Sequence, residues 1–409
     1  MAEISPNPFT PKSGWEPRVF VGRETEIEFF RKKLKEARDG RCDHFLILGN
    51  WGVGKTSLLK EFKKIAQQEG ILTSLITISE YTEKNTFNDG VRELIEEIPQ
   101  KFPTDVSKLK KFMEQLNELG VQFFGAGFTF SRTIEQMQPQ SLLFNSLKTL
   151  WDDLKNETEV GVILIDDVQN FEPISGIFTI IKNVLSDEEI VKTRFLFVLS
   201  CTPDMWKQFL ARHHPIGRYF TPRLDLARLS REDTFKALDK ILENTGIVFE
   251  SEIVEMVYEY TQGHPYELQI LCYNLYENQI AGIVTEKVWS NSLKVTLKEL
   301  GEKVFDSMYE KASKNEQMIL HLMSLADKRV SPNELLKFSN DLNADISSTV
   351  INTGMQRLFK KGLVIKPEKY KYSLPDRMFR EYVIHLKGIN GISDNLNDNQ
   401  EIQEIQKEE

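Results

Sequence analysis

The sequence predicts an α/β chain: a parallel sheet covered by helices on both faces, then a helical lid and a winged helix-turn-helix module. Three observations carry this expectation. The apolar run Phe45-Leu46-Ile47-Leu48 leads directly into Gly49-Asn50-Trp51-Gly52-Val53-Gly54-Lys55-Thr56, and a helical stretch follows. That is a phosphate-binding loop between a strand and a helix. Further along, the fully apolar runs 162–165 and 195–199 alternate with helical patterns, which argues for central parallel strands. Beyond about residue 230 strand signals stop, and only near the C-terminus does a helix-helix-helix-hairpin pattern appear.

Each element has its own signal. Residues 1–16, rich in proline, read as an extended N-terminal arm around Asn7-Pro8-Phe9-Thr10-Pro11. A helix is expected over 24–38, with Ile27, Phe29, Phe30 and Leu34 on its apolar side. The β-branched run 72–78 after Gly70 reads as a second strand. Amphipathic stretches follow near 88–98 and 105–119. The aromatic, glycine-punctuated run 120–130 reads as a small β insertion or hairpin. A helix near 142–154 precedes the strand 162–165. The P-loop domain is placed at 17–229. Helices at 231–242, 252–260, 265–276 and 286–300 make a lid domain over 230–312. The last module, 313–387, has helices at 317–325, 332–338 and 347–362. Its strands, Leu363–Lys366 and Tyr370–Ser373, flank Pro367-Glu368-Lys369. A polar acidic tail, 388–409, is expected to be disordered.

Composition is that of a globular protein. Cys42, Cys201 and Cys272 are far apart and form no metal-ligand spacing, so a disulfide framework is not expected and a reducing cytoplasm fits. His213 and His214 are adjacent in sequence, a poor metal pair. The N-terminus lacks a signal-peptide pattern, and no apolar run is long enough to span a membrane. The net charge of −9 is uneven. Residues 314–387 carry 13 Lys/Arg against 8 Asp/Glu, while the tail carries six acids against Lys407. A basic module in an acidic chain points to nucleic acid for that module alone.

The chemistry follows from the loop. Its glycines let consecutive N–H groups face one concavity, and Ser57 continues the helix whose N-terminal dipole faces the same way. Lys55 places a charge on the β/γ-phosphates, and the Thr56 hydroxyl is placed to ligand Mg²⁺. Asp166 and Asp167 end the apolar strand 162–165. One acid suits Mg²⁺ and the other suits polarising the attacking water. Ser200 and Thr202 end the next strand, where a hydroxyl would lie close to the γ-phosphate; capping the helix that starts at Pro203 is the alternative. Arg218 and Arg223 are candidates for stabilising transition-state charge in cis or from a neighbouring subunit, against a plain solvated-surface reading.

Phe20-Val21-Gly22-Arg23-Glu24, the phosphate loop, Ile165-Asp166-Asp167, the 200–203 strand end, 224–229 and Gly263-His264-Pro265 occur together in the order of the archaeal-type ATPases. The chain thus resembles the STAND and origin-recognition-like branches of the AAA+ superfamily over roughly residues 17–387. The resemblance implies a P-loop NTPase fold of AAA+ type, with ATP and Mg²⁺ as cofactors. It places Val21, Gly22 and Arg23 against adenine and ribose, and Pro265 near the nucleotide. No sensor arginine stands beside Pro265, which favours the STAND-like branch. No [NT]-K-x-D base-reading motif of a GTPase follows the loop. The family covers many roles, so it speaks to chemistry more than physiology.

Three functions compete. One is an ATPase acting as a switch or motor. Another is a slow-turnover, ATP-gated DNA-binding regulator or origin-recognition-like initiator. The third, a DNA-binding regulator with a vestigial site, is opposed by intact Lys55, Thr56, Asp166 and Asp167. Arg357, Lys360 and Lys361 on the expected recognition helix, with Lys366, Lys369 and Lys371 on the wing, suit the phosphates of duplex DNA. A homo-oligomer or partner protein is the alternative ligand of such a module.

Overall fold

The computed structural model describes residues 6–12, 17–102, 121–124, 127–130, 138–326, 328–342, 344 and 346–387. The stretch expected at 105–119 and the acidic tail lie outside the described residues, as do residues 1–5 and 13–16 of the arm. The chain divides into two compact units, Phe20–Ala227, and Met1–Val19 with Arg228–Glu409.

The first unit runs α1 (Glu24–Arg38), β1 (Phe45–Leu48), α2 (Lys55–Gln68), β2 (Leu72–Thr77), α3 (Phe87–Gln100), β3 (Val121–Phe124), β4 (Gly127–Phe130), α4 (Pro139–Leu154), β5 (Gly161–Asp166), α5 (Ile177–Leu185), α6 (Glu188–Val191), β6 (Phe195–Cys201), α7 (Pro203–Arg212) and β7 (Arg223–Asp225). Five strands form one sheet in the order β2-β5-β6-β1-β7, every neighbour parallel. Burial of every residue in β1, β5 and β6 explains why they read as unbroken apolar runs. On one face Phe30 stacks on Phe62 at 4.1 Å; on the other, Phe171, Phe178 and Phe209 fill the core. Because the strands are parallel, the loop after β1 and the ends of β5 and β6 share one edge, where open α/β sheets bind ligands. Within the run 120–130, β3 and β4 pair antiparallel, Val121 opposite Phe130 and Phe124 opposite Gly127. Strand β7, too short for a periodic signal, closes the sheet beside β1.

The second unit runs α8 (Arg231–Leu242), β8 (Val248–Phe249), α9 (Ser251–Thr261), α10 (Pro265–Glu277), β9 (Ile283–Val284), α11 (Glu286–Leu300), α12 (Asp306–Glu310), α13 (Lys314–Ala326), α14 (Pro332–Asp341), α15 (Ser348–Lys360), β10 (Ile365–Glu368), β11 (Lys371–Ser373) and α16 (Arg377–Leu386). Side chains of Ser230, Ser331, Ser347 and Asp376 accept from the first-turn N–H groups of α8, α14, α15 and α16. The two-residue parallel ribbon β8–β9 departs from the expectation that strand signals end at 230; two residues cannot show a period. Helix α16, after the hairpin, was absent from the expected pattern. Lid helices and C-terminal module share one continuous apolar cluster, from Leu238 to Val383. The arm belongs to it: Phe9 is buried with its ring 6.2 Å from Phe249, and Asn7 Nδ2 donates to Tyr273 O and Glu277. Among the described residues no helix is long and apolar enough to cross a membrane.

Candidate nucleotide-binding site

The loop between β1 and α2 curls through left-handed glycines, Gly52 at φ 74° and Gly54 at φ 99°, conformations that side-chain-bearing residues rarely adopt. Gly49 is fixed by space as well: a Cβ there would stand 2.7 Å from Val53 and 3.2 Å from Leu226. Lys55, Thr56 and Ser57 form the first turn of α2. Lys55 is buried, and Nζ donates to Gly49 O at 3.0 Å and Asn50 O at 3.1 Å. Burial lowers its pKa, while Asp167 and Asp166 pull the other way. Trp51 stands on the loop half exposed.

Opposite Lys55, the end of β5 supplies two acids in different settings. Asp166 is buried, and Thr56 Oγ1 donates to its Oδ2 at 2.5 Å. Ser200, on β6 between β5 and β1, donates to Asp166 Oδ1. The Asp167 N–H reaches both Asp166 Oδ1 and Ser200 Oγ at 3.1 Å. Burial, then the neighbouring Asp167, raises the Asp166 pKa; Ser200, Thr56 and Lys55 oppose that rise. Asp167 is left-handed, at φ 55°, and Gln169 Nε2 donates to its Oδ1 at 2.7 Å. Asn170 Nδ2 anchors the following turn to Ile78 O at the end of β2. A carboxylate and a hydroxyl converging from two elements form an all-oxygen donor pair that suits a hard divalent cation completed by phosphate oxygens.

The remaining candidates are distributed. Val21 and Arg23 are buried and Gly22 is left-handed at φ 73°. Arg23 Nη2 donates to Val53 O at 3.1 Å and Ala227 O at 2.7 Å, protein carbonyls where the resemblance implies a base and ribose. Thr202 holds the N-cap position of α7 without a side-chain cap bond. Arg223 pairs with Asp225 of its own strand at 3.3 Å. Arg218 is exposed, and its guanidinium has no ion pair among the described residues. Pro265 is in the second unit and opens α10 behind the N-cap His264. Gly263 there has a packing reason: a Cβ would fall 2.0 Å from Leu229 O.

Among the basic candidates, Lys361 donates to Glu316 at 2.6 Å and to Lys311 O, and Lys371 donates to Glu334 at 2.6 Å. Lys366 lies over the Tyr372 ring at 5.4 Å and Lys369 over Tyr370 at 5.2 Å. Arg357 and Lys360 are exposed on α15, without ion pairs among the described residues. Sequence reasoning missed Gln169, Asn170 and the Arg23–Ala227 bond. The short spacing of Gln169 from Asp167 was a usable signal; nothing in sequence joins residue 23 to 227.

Residues 19–178 match the AAA ATPase domain family. It is similar in fold to the ORC2 protein of Aeropyrum pernix, solved in ADPNP–ADP complexes: TM-score 0.58, 17% identity, covering 95% of this chain and 98% of that one. It is also similar to a Walker-type ATPase of Pyrococcus abyssi: TM-score 0.57, 15% identity, covering 90% and 97%. An uncharacterized HTH-type transcriptional regulator of Methanocaldococcus jannaschii is 19% identical over 378 residues, 88% of this chain and 87% of that protein.

Proposed function

We propose that this chain binds ATP with Mg²⁺ and hydrolyses it to ADP and phosphate, using the nucleotide state as a switch on its C-terminal unit. The observation that carries the reading is the bonded set Thr56–Asp166–Ser200 beside Lys55 and Asp167. In this reading Lys55 exchanges its two loop carbonyls for the β/γ-phosphates. Thr56 and Asp166 hold the metal. Bound Mg²⁺ supplies neutralisation of charge on phosphate oxygens. Asp167, oriented by Gln169 and by its own bonded N–H, polarises the water that attacks the γ-phosphorus. Water adds to phosphorus as its proton passes to the Asp167 carboxylate, the bond to the β-γ bridging oxygen breaks, and ADP and phosphate leave. Arg218, exposed and without an ion pair among the described residues, suits a finger offered to a neighbouring copy better than Arg223, which Asp225 holds. That the similarly folded ORC2 protein is named in complex with ADPNP and ADP favours adenine nucleotides.

The C-terminal module reads as a winged helix engaging duplex DNA. From 346 to 367 the chain has no Asp or Glu, and α15 presents Arg357 and Lys360 outward. The Methanocaldococcus relative's name, an HTH-type regulator, supports the same reading. Phosphate release by the purified chain, with and without Mg²⁺ and compared with Lys55→Ala, tests the first reading. Wild-type turnover in Lys55→Ala would sink it. Fluorescence anisotropy with duplex DNA tests the second, and no binding at low salt in the presence or absence of ATP sends the module to protein docking.

A further inference from the structure

We infer that Arg23 is a positioning residue of the phosphate loop, and that it ties the loop's conformation to the peptide on which the chain leaves the ATPase unit. The inference rests on the proposal that the loop holds nucleotide phosphates. Arg23 stands at the N-cap of α1, behind left-handed Gly22, and its side chain is buried. One nitrogen, Nη2, serves two carbonyls, Val53 O at 3.1 Å and Ala227 O at 2.7 Å. Nη1 faces Glu26 at 3.5 Å. These partners lie 30 and 204 residues away in sequence.

The bond to Val53 matters because of peptide planarity. The Val53 C=O and the Gly54 N–H belong to one trans peptide and point in opposite directions. Holding the carbonyl on Arg23 therefore turns the Gly54 N–H to the other side, where successive N–H groups form the anion cradle. Gly54, at φ 99°, has no Cβ to hold this peptide in place, and nothing stands within 4 Å of where one would be. A guanidinium bond to the carbonyl supplies the missing restraint, and a charged donor makes it one of the stronger hydrogen bonds.

The bond to Ala227 gives the second half. Leu226 N–H pairs with Leu48 O at the end of β1, and Leu226 packs under Gly49. The next residue, Ala227, is the last of the ATPase unit. A shift of the Val53–Gly54 peptide on phosphate binding is thus transmitted through a single nitrogen to the peptide that joins Ala227 to Arg228. This role differs from a contact with adenine and ribose, and the two make opposite forecasts for a ligand that has neither.

Calorimetric titration of the full chain with ATP and with inorganic tripolyphosphate separates them. Arg23→Ala should weaken both ligands by the same factor, about tenfold, and Arg23→Lys should weaken both by less. Hydrogen exchange of the wild-type chain needs no variant: tripolyphosphate should slow exchange at Gly54 and also across residues 226–228. Arg23→Lys should lose the protection at 226–228 while keeping that at the loop. If ATP affinity falls in the variants while tripolyphosphate affinity holds, Arg23 reads the nucleoside and the inference is overturned. Unchanged affinities for both ligands, or wild-type protection confined to the loop, also overturn it. A wild-type chain that binds neither ligand sinks the nucleotide reading itself, and the inference with it.

Discussion

Thr56 Oγ1 donates to Asp166 Oδ2 at 2.5 Å across 110 residues of sequence. The contact joins the first turn of α2 to the end of β5, although β6 separates β5 from β1 in the sheet. It also gives the two acids different surroundings. Asp166 is buried in hydroxyl partners, whereas Asp167 faces Gln169 in a left-handed turn.

From that difference, Asp166→Asn should lose both Mg²⁺-dependent ATP affinity and turnover. Asp167→Asn should bind ATP nearly as the wild type does while turnover falls by about 10²–10⁴, the usual range for a proton-transfer group. Calorimetry with and without Mg²⁺, beside a phosphate-release assay, measures both. Equal loss of affinity in the two variants rules out this division of labour.

Ser200→Ala removes the buried hydroxyl that serves Asp166 Oδ1 and the Asp167 N–H together. Each retains one partner, since that N–H still reaches Asp166. Unfolding stability should fall by about 1–3 kcal/mol, the cost of an under-satisfied buried polar group. Urea titration reads this loss, and turnover should drop in parallel as the acids lose their fixed orientation.

Arg218→Ala should cut turnover by about 10³–10⁵ and spare ATP affinity if Arg218 is the finger. Arg223→Ala should change turnover little, because Asp225 already engages that guanidinium. A mixture of Arg218→Ala with a Lys55→Ala chain, which keeps the arginine, should regain activity if the residue acts on a neighbour. Wild-type turnover by Arg218→Ala alone removes the assignment.

On the C-terminal module, Lys360→Ala should lower the log–log salt slope of duplex DNA binding by about one. Lys361→Ala should change it less, because Glu316 and Lys311 O already hold that ammonium. A larger slope change for Lys361 than for Lys360 contradicts the predicted contact.

The Glu316–Lys361 pair also predicts a pH effect. Burial acts to raise the Glu316 carboxyl, but Lys361 and Ser313 hold it below its usual value. A depressed folded pKa adds stability above the unfolded value, roughly 4.3 for Glu, which is lost as pH falls through the folded value. Lys361→Ala should cost about 2 kcal/mol at neutral pH, less than a fully buried pair because Lys361 is partly exposed. The gap from wild type should narrow below pH 4. Urea titrations across pH 3–7 show whether it does.

The sequence by itself determined the elements whose signals are local. The phosphate loop, the helix Glu24–Arg38, the apolar strands and the lid helices are legible because residues three, four or two apart decide which face is buried. Lys55, Thr56 and Asp166 were legible for a related reason: a motif fixes its neighbours, and an acid ends an apolar run. Tertiary structure alone decided that Ser200 bonds Asp166 and that Lys361 is engaged by Glu316. It alone placed Phe9 in the core of the second unit and set Arg23 between Val53 and Ala227. Those pairings depend on strand order and on which helix end faces which carbonyl. A hydrogen bond needs its partners within about 3 Å and has no range along the chain, so sequence separation carries no trace of it.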